Sequence, residues 1–339
     1  MRELTIDYFC SYQLKSRANI KMKVELLRGE NTVRPPKISV FLTCRDRVSY
    51  LEEVIESILR QEYKDFELII SDNSVGNEVS NLIAIRYPTL KYRRRNSVDA
   101  LKHFNQIIEE IDTEYLVIFH DDDVLLPGYL SGMITALTNH PNVAAVGCNA
   151  FITWETEPSD VIFAQGITHS ILITTPDQLF EYYMDIDKRF HAPFPSYMYR
   201  TAFVQSLRFN AAEGGKYADV SFLMKIVKLA PILWIPDIFM QYRFHLGNDR
   251  NIEDIKGKLS LLRFVLATTC LTKKSRAVDV YRAVYLARWI MPRLKVMAFY
   301  RSRRMLVVMR YLISRVFNYP FPLLLSQGVK KMSRLLKCQ

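Results

Sequence analysis

Three consecutive aspartates, Asp121, Asp122 and Asp123, stand just after an apolar run, residues 115–119, that reads as a buried β-strand. Three carboxylates at a strand end repel one another unless a cation sits among them. In open α/β sheets the ligand lies at the C-terminal edge of the parallel strands. The triplet therefore has two readings. One is a divalent-metal site that holds a diphosphate. The other is an acidic turn that caps a following helix, started by Pro127.

The flanking sequence alternates between two periods. Residues 37–44, 66–71, 90–93, 115–119 and 142–152 read as strands. Residues 48–61 place Leu51, Val54, Ile55, Ile58 and Leu59 on one helix face, and 79–87 and 100–111 repeat that pattern. Such alternation predicts an α/β fold: right-handed βαβ units in a Rossmann-like, mostly parallel sheet with helices on both faces. Handedness then lines one edge with Asp46 and Arg47, Asp72, Asn96 and the triplet, beside the basic run Arg93, Arg94 and Arg95.

No G-x-G-x-x-G turn follows the first strand and no GxxxxGK[ST] loop occurs, which argues against a dinucleotide site and a P-loop. Phosphate must then be held by a metal and by cationic side chains. Carboxylate-bound Mg²⁺ or Mn²⁺ suits that task, since it takes oxygen ligands and shares its shell with substrate phosphates.

Three segments, in this order and spacing, carry a resemblance: DRVSYLEEVIESILRQEYKDFELIISDNS (46–74), RRRN (93–96) and EYLVIFHDDDVLLPGYL (114–130). They resemble a family 2 glycosyltransferase of the GT-A fold. That family shows an N-R-x-x-Y-L helix start, an S-I-x-x-Q helix end, a V-D-x-S strand end and an Asp-x-Asp motif before a helix. The likeness covers roughly residues 37–250. It departs at Asp46, where Asn is usual, and at His120, where many members carry another Asp. The second departure leaves open which two aspartates form the Asp-x-Asp pair.

The resemblance implies a set of roles. Asp72 would hydrogen-bond the nucleotide base, with Thr43 and Asp46 in the same pocket. Asp121 would face the ribose, while Asp122 and Asp123 hold Mn²⁺ or Mg²⁺ on the diphosphate. Arg95 and Asn96 would belong to the same nucleotide-sugar site. Without the resemblance Asp72 reads as a helix cap and the arginine run as a solvated loop.

An inverting transfer needs one carboxylate to take the acceptor hydroxyl's proton. The stretch EGGKYAD (213–219) precedes an amphipathic helix, and Asp219 falls in its first turn. It resembles the family's Glu-Asp motif, with Ala218 where Glu is common. Asp219 is the expected base and Glu213 the reserve; a helix cap is the plain alternative. The stretch QYRFHLGN (241–248) follows a strand-like segment, 232–240, and resembles the family's Y-R-x-H segment. His245 would then reach the metal or the diphosphate, where a lone histidine is otherwise more often structural. Residues 194–200 are expected on the acceptor side.

Charge separates the regions. From residue 271 onward, sixteen Lys or Arg face one acid, Asp279, which leaves residues 1–270 at −4 within a chain of +11. The expected organisation is an extension, 1–36, then a GT-A domain, 37–250, with a nucleotide half (37–152) and an acceptor half (153–250). A basic, amphipathic, helical region, 251–339, follows. Aromatic residues interleave with the cations of 271–339, as on a segment that docks on an anionic membrane surface. Its longest uncharged run, 316–329, contains two prolines and falls short of the about 20 residues a span needs. No nucleic-acid-binding motif accompanies the charge. The five cysteines are scattered without a CxxC pair, and the N-terminus has no apolar h-region. These point to a cytoplasmic protein, peripheral on the inner face of the cell membrane.

The combined expectation is an inverting, metal-dependent transfer of a sugar from a nucleotide-sugar to a glycan acceptor on a lipid carrier. Surface polysaccharide or O-antigen assembly is the setting the resemblance implies. Two other readings are a catalytically silent GT-A scaffold at the membrane and a sugar-nucleotidyltransferase. The latter normally has a Gly-rich loop after the first strand, and TCRDR (43–47) has no glycine.

Overall fold

The computed structural model describes residues 37–96, 98–155, 159–184, 192–245 and 254–282. The expectations for 1–36 and for most of the basic region lie outside the described residues.

The first half alternates as its periodicity predicts. Strand β1 is Ile38–Cys44, whose seven residues are all buried, followed by helix α1, Leu51–Leu59. Strand β2 (Phe66–Asp72), helix α2 (Glu78–Arg86), strand β3 (Lys91–Arg94), helix α3 (Ala100–Glu110) and strand β4 (Tyr115–His120) complete it. β3, β2, β1 and β4 lie side by side and parallel. Their apolar residues serve two cores. On one face Ile38, Val40 and Leu42 of β1 pack with Leu51, Val54, Ile55 and Ile58 of α1. On the other, Phe41 joins Ile107 and Ile108 of α3. Each such aliphatic side chain contributes about 1.5–3 kcal/mol on burial.

After β4 the chain makes a two-residue strand, β5 (Val124–Leu125), and then helix α4, Tyr129–Asn139. The helix starts two residues beyond Pro127 because Gly128 takes a φ of 85°, a left-handed conformation that no helix continues through. Strand β6 is Ala145–Trp154 and β7 is Ile171–Ile173. Helix α5 (Pro176–Tyr183), strand β8 (Tyr197–Arg200) and the short helix α6 (Thr201–Val204) follow. Helix α7 (Ala218–Leu229) then leads into strand β9, Ile232–Phe244.

These strands extend the same sheet in both senses, in the order β3-β2-β1-β4-β8-β6-β9-β5 with β7 on β9. β8 is antiparallel to both β4 and β6, so β6 again runs parallel to β4, and β9 runs parallel to β6. The C-terminal ends of β1, β2, β4, β6 and β9 therefore share one edge. Helices α8 (Ile255–Thr268) and α9 (Arg276–Tyr281) add Leu261, Leu262, Val265, Val278 and Tyr281 to the core that holds α7. The start of the basic region is thus packed into the body of the protein.

Candidate active site

Register places the edge residues in a row. Cys44 pairs with Asp72, Asp72 with Arg94, and Thr43 with His120. Asp72 is fully buried. One carboxylate oxygen accepts the Ser74 amide at 2.9 Å, and the other accepts the Tyr92 hydroxyl and Arg94 Nη1, the latter at 2.7 Å. Thr43 turns inward and donates to the Phe119 carbonyl at 2.9 Å, tying β1 to β4. Asp46 adopts a φ of 55°, and its Oδ1 accepts the amides of Val75 and Gly76 at 2.9 and 3.1 Å. Among L residues, Asn and Asp tolerate that left-handed region best, which accounts for Asp where Asn is usual.

The triplet is buried on all three counts, at 3, 8 and 1% exposure. Asp121 accepts the Arg45 amide at 2.9 Å and Arg47 Nη1 at 3.3 Å; burial raises its carboxyl to about 7. Asp122 accepts Arg47 Nη1 and His245 Nε2 on one oxygen, Oδ2. Burial pushes Asp122 upward, but His120, Arg47 and His245 outweigh it and leave its carboxyl below the usual range. Asp123 accepts the Arg243 amide at 2.9 Å on Oδ1. Among the described residues its Oδ2 is buried without a hydrogen bond, and burial, with Asp122 beside it, lifts this carboxyl well above its ordinary range.

That orphaned oxygen tests whether the site suits a cation. Such an atom costs free energy unless something fills its place. One ligand atom each from His120, Asp122 and Asp123 can lie within 4.8 Å of one another, and His120 Nδ1 stands 3.8 Å from Asp123 Oδ2. Two carboxylates and an imidazole form a fitting set for a divalent ion. The set differs from the expected one: His245 hydrogen-bonds Asp122, and His120 joins the cluster. His120 is held between Phe104 and Phe194, with ring centroids 6.3 and 5.7 Å away, and burial keeps its imidazole below its ordinary range, the neutral form a metal needs. Its signal in the sequence was its position at the last residue of the strand before the triplet.

Two expected donor residues stand apart. Arg95 is buried on the far side of β3, donating to Ser71 Oγ at 2.9 Å and to both carboxylate oxygens of Glu110. Arg94, not Arg95, is the arginine on Asp72. Asn96 is exposed just past the end of β3.

In the segment expected to face the acceptor, a short 3₁₀ turn, Phe194–Ser196, sits against the end of β4 and leads into β8. Asp219 lies in the first turn of α7, on the wall of an apolar pocket with Leu179, Tyr182, Tyr183, Tyr197 and Leu223. Its carboxylate makes no ion pair among the described residues, and burial raises it to about 6. Burial, with Asp219 beside them, lifts the hydroxyls of Tyr197 and Tyr199 too. The reserve carboxylate, Glu213, is instead paired with Lys225 Nζ at 2.6 Å.

Residues 39–203 match the family described as Glycosyl transferase family 2. A GalNAc(5)-diNAcBac-PP-undecaprenol beta-1,3-glucosyltransferase of Campylobacter jejuni is 24% identical over 198 residues, which cover 55% of this chain and 58% of that protein. Protein CgeD of Bacillus subtilis is 28% identical over 120 residues, 32% of this chain and 28% of that one. The chain thus spans little more than half the length of the first of these relatives. Among solved structures, S. aureus TarS 1–349 in complex with UDP-GlcNAc superposes with a TM-score of 0.54 at 16% identity, covering 74% of this chain and 71% of that one. The likeness establishes the GT-A fold.

Proposed function

The chain belongs to glycosyltransferase family 2, and on that premise we propose that it moves a sugar from a nucleotide-sugar to a glycan acceptor with inversion at the anomeric carbon. The observation that carries this reading is one sheet edge that joins Asp72 and the triplet with its orphaned Asp123 oxygen, and the buried carboxylate of Asp219 in the first turn of α7 supports its acceptor half. Asp72, flanked by Thr43 and Asp46, would take the base, and Asp121 the ribose. His120, Asp122 and Asp123 would hold Mn²⁺ or Mg²⁺. When bound there, such an ion supplies positive charge against the departing diphosphate. Asp219 would take the acceptor hydroxyl's proton as its oxygen attacks the anomeric carbon and the bond to the diphosphate breaks. A carboxylate raised to about 6 is ionised at neutral pH yet basic enough to accept that proton.

The acceptor would be a glycan on a lipid carrier. The Campylobacter relative, whose name specifies an undecaprenol-linked substrate, supports this choice. Among the described residues no helix is long and apolar enough to cross a membrane. The cations of 271–339 would hold the chain on an anionic surface, at the inner face of the cell membrane, in surface polysaccharide synthesis. The test is calorimetric titration of UDP, dTDP and GDP, with and without Mn²⁺, into the wild type and an Asp122→Ala/Asp123→Ala variant. Mn²⁺-dependent binding of one nucleotide, lost in the variant, is expected. No binding of any nucleotide would turn the reading toward a silent scaffold.

A further inference from the structure

Arg47 occupies an unusual place for a surface arginine. It leaves the loop between β1 and α1, keeps a third of its side chain in solvent, and sets Nη1 between Asp121 Oδ1, at 3.3 Å, and Asp122 Oδ2. The same Asp122 Oδ2 already receives His245 Nε2 at 2.9 Å. A divalent ion drawing on that oxygen would face the guanidinium at close range, and like charges in a mostly buried site repel strongly.

We infer that Arg47 is a built-in counter-cation that competes with the metal for Asp122 until a diphosphate draws it away. The charge balance supports the exchange. A single guanidinium nitrogen bridges two of the three carboxylates, Asp121 and Asp122. A metal and a diphosphate arriving together add cation and anion in one event, and Arg47 can move from carboxylate to phosphate, both of which a guanidinium binds well. Its partial exposure and its loop position permit that movement. The metal alone would therefore bind weakly, and metal and nucleotide would bind cooperatively. The inference rests on the nucleotide-sugar reading for its second half only.

The experiment measures Mn²⁺ alone by the free-ion electron paramagnetic resonance signal, for the wild type, Arg47→Gln and Arg47→Lys. Calorimetry then follows UDP and GDP at saturating Mn²⁺. Arg47→Gln should bind Mn²⁺ alone about tenfold tighter and the Mn²⁺–nucleotide pair about tenfold more weakly, opposite shifts that loss of folding cannot produce. Arg47→Lys keeps the charge and should stay near the wild type in the Mn²⁺ arm. Unchanged or weaker Mn²⁺ binding by Arg47→Gln, including no detectable binding in either protein, overturns the competition. If Mn²⁺ binds tighter in the variant but no nucleotide binds the wild type, the counter-cation role stands and the donor reading fails.

Discussion

His245 Nε2 lies 2.9 Å from Asp122 Oδ2, although 123 residues separate them in the chain. The contact is built by β5. Val124 and Leu125, directly after the triplet, pair antiparallel with Gln241 and Met240 of β9, so residues 243–245 run back beside Asp123 and Asp122. Tyr50 packs against the His245 ring at 5.5 Å and under the Arg243 guanidinium at 4.4 Å, holding that strand end in place.

This geometry separates two histidines. His120→Gln should weaken Mn²⁺ binding by at least about tenfold and remove the directly coordinated nitrogen, while His245→Gln loosens Asp122 and costs a comparable amount with the nitrogen retained. Electron spin echo measurements of bound Mn²⁺ distinguish the two. A nitrogen coupling that disappears with His245→Gln and survives His120→Gln would reverse the assignment.

Asp219 links activity to stability with opposite signs. Its carboxyl is raised to about 6 in the fold, so the native state binds the proton more tightly than the unfolded chain does. The contribution to stability is full below the unfolded value near 4 and is lost as the pH rises through about 6. At neutral pH the buried charge therefore destabilises, and Asp219→Asn should stabilise by on the order of 2–3 kcal/mol while abolishing transfer. Thermal melts at pH 5 and pH 8 check it: the gain should shrink at the lower pH. Transfer by the wild type should fall as the pH drops below about 6.

Glu213 should behave otherwise. Its carboxylate is engaged by Lys225 at 2.6 Å, and the side chain is 23% exposed. Glu213→Gln should keep the transfer rate within about threefold, and lose at most about 1 kcal/mol of stability, as a partly solvated pair does. A rate loss as deep as that of Asp219→Asn would move the base to Glu213.

At Asp46 the backbone decides what is tolerated. Asn keeps both the left-handed φ of 55° and an oxygen for the Val75 and Gly76 amides, so Asp46→Asn should be nearly neutral. Asp46→Val loses both and should cost about 2 kcal/mol or more in chemical denaturation, since a β-branched residue is strained there. Equal stabilities for the two variants would show that the loop relaxes.

The βα alternation, the four parallel strands and the edge that collects Asp72 and the triplet were legible in the sequence because they follow from local periodicity and from one rule of handedness. The position of Asp219 was legible for a similar reason, its place at the first turn of an amphipathic helix. The tertiary structure alone decided what long-range pairing decides. It gave Asp72 to Arg94, the last residue of β3, and directed Arg95, one residue past the strand, toward Ser71 and Glu110. It brought His120 beside Asp122 and Asp123 by holding it between phenylalanines from α3 and the turn before β8. It returned residues 243–245 to the triplet through a two-residue strand too short to carry a pattern. Periodicity records which face of an element is buried; which distant element covers that face depends on packing across the whole sheet.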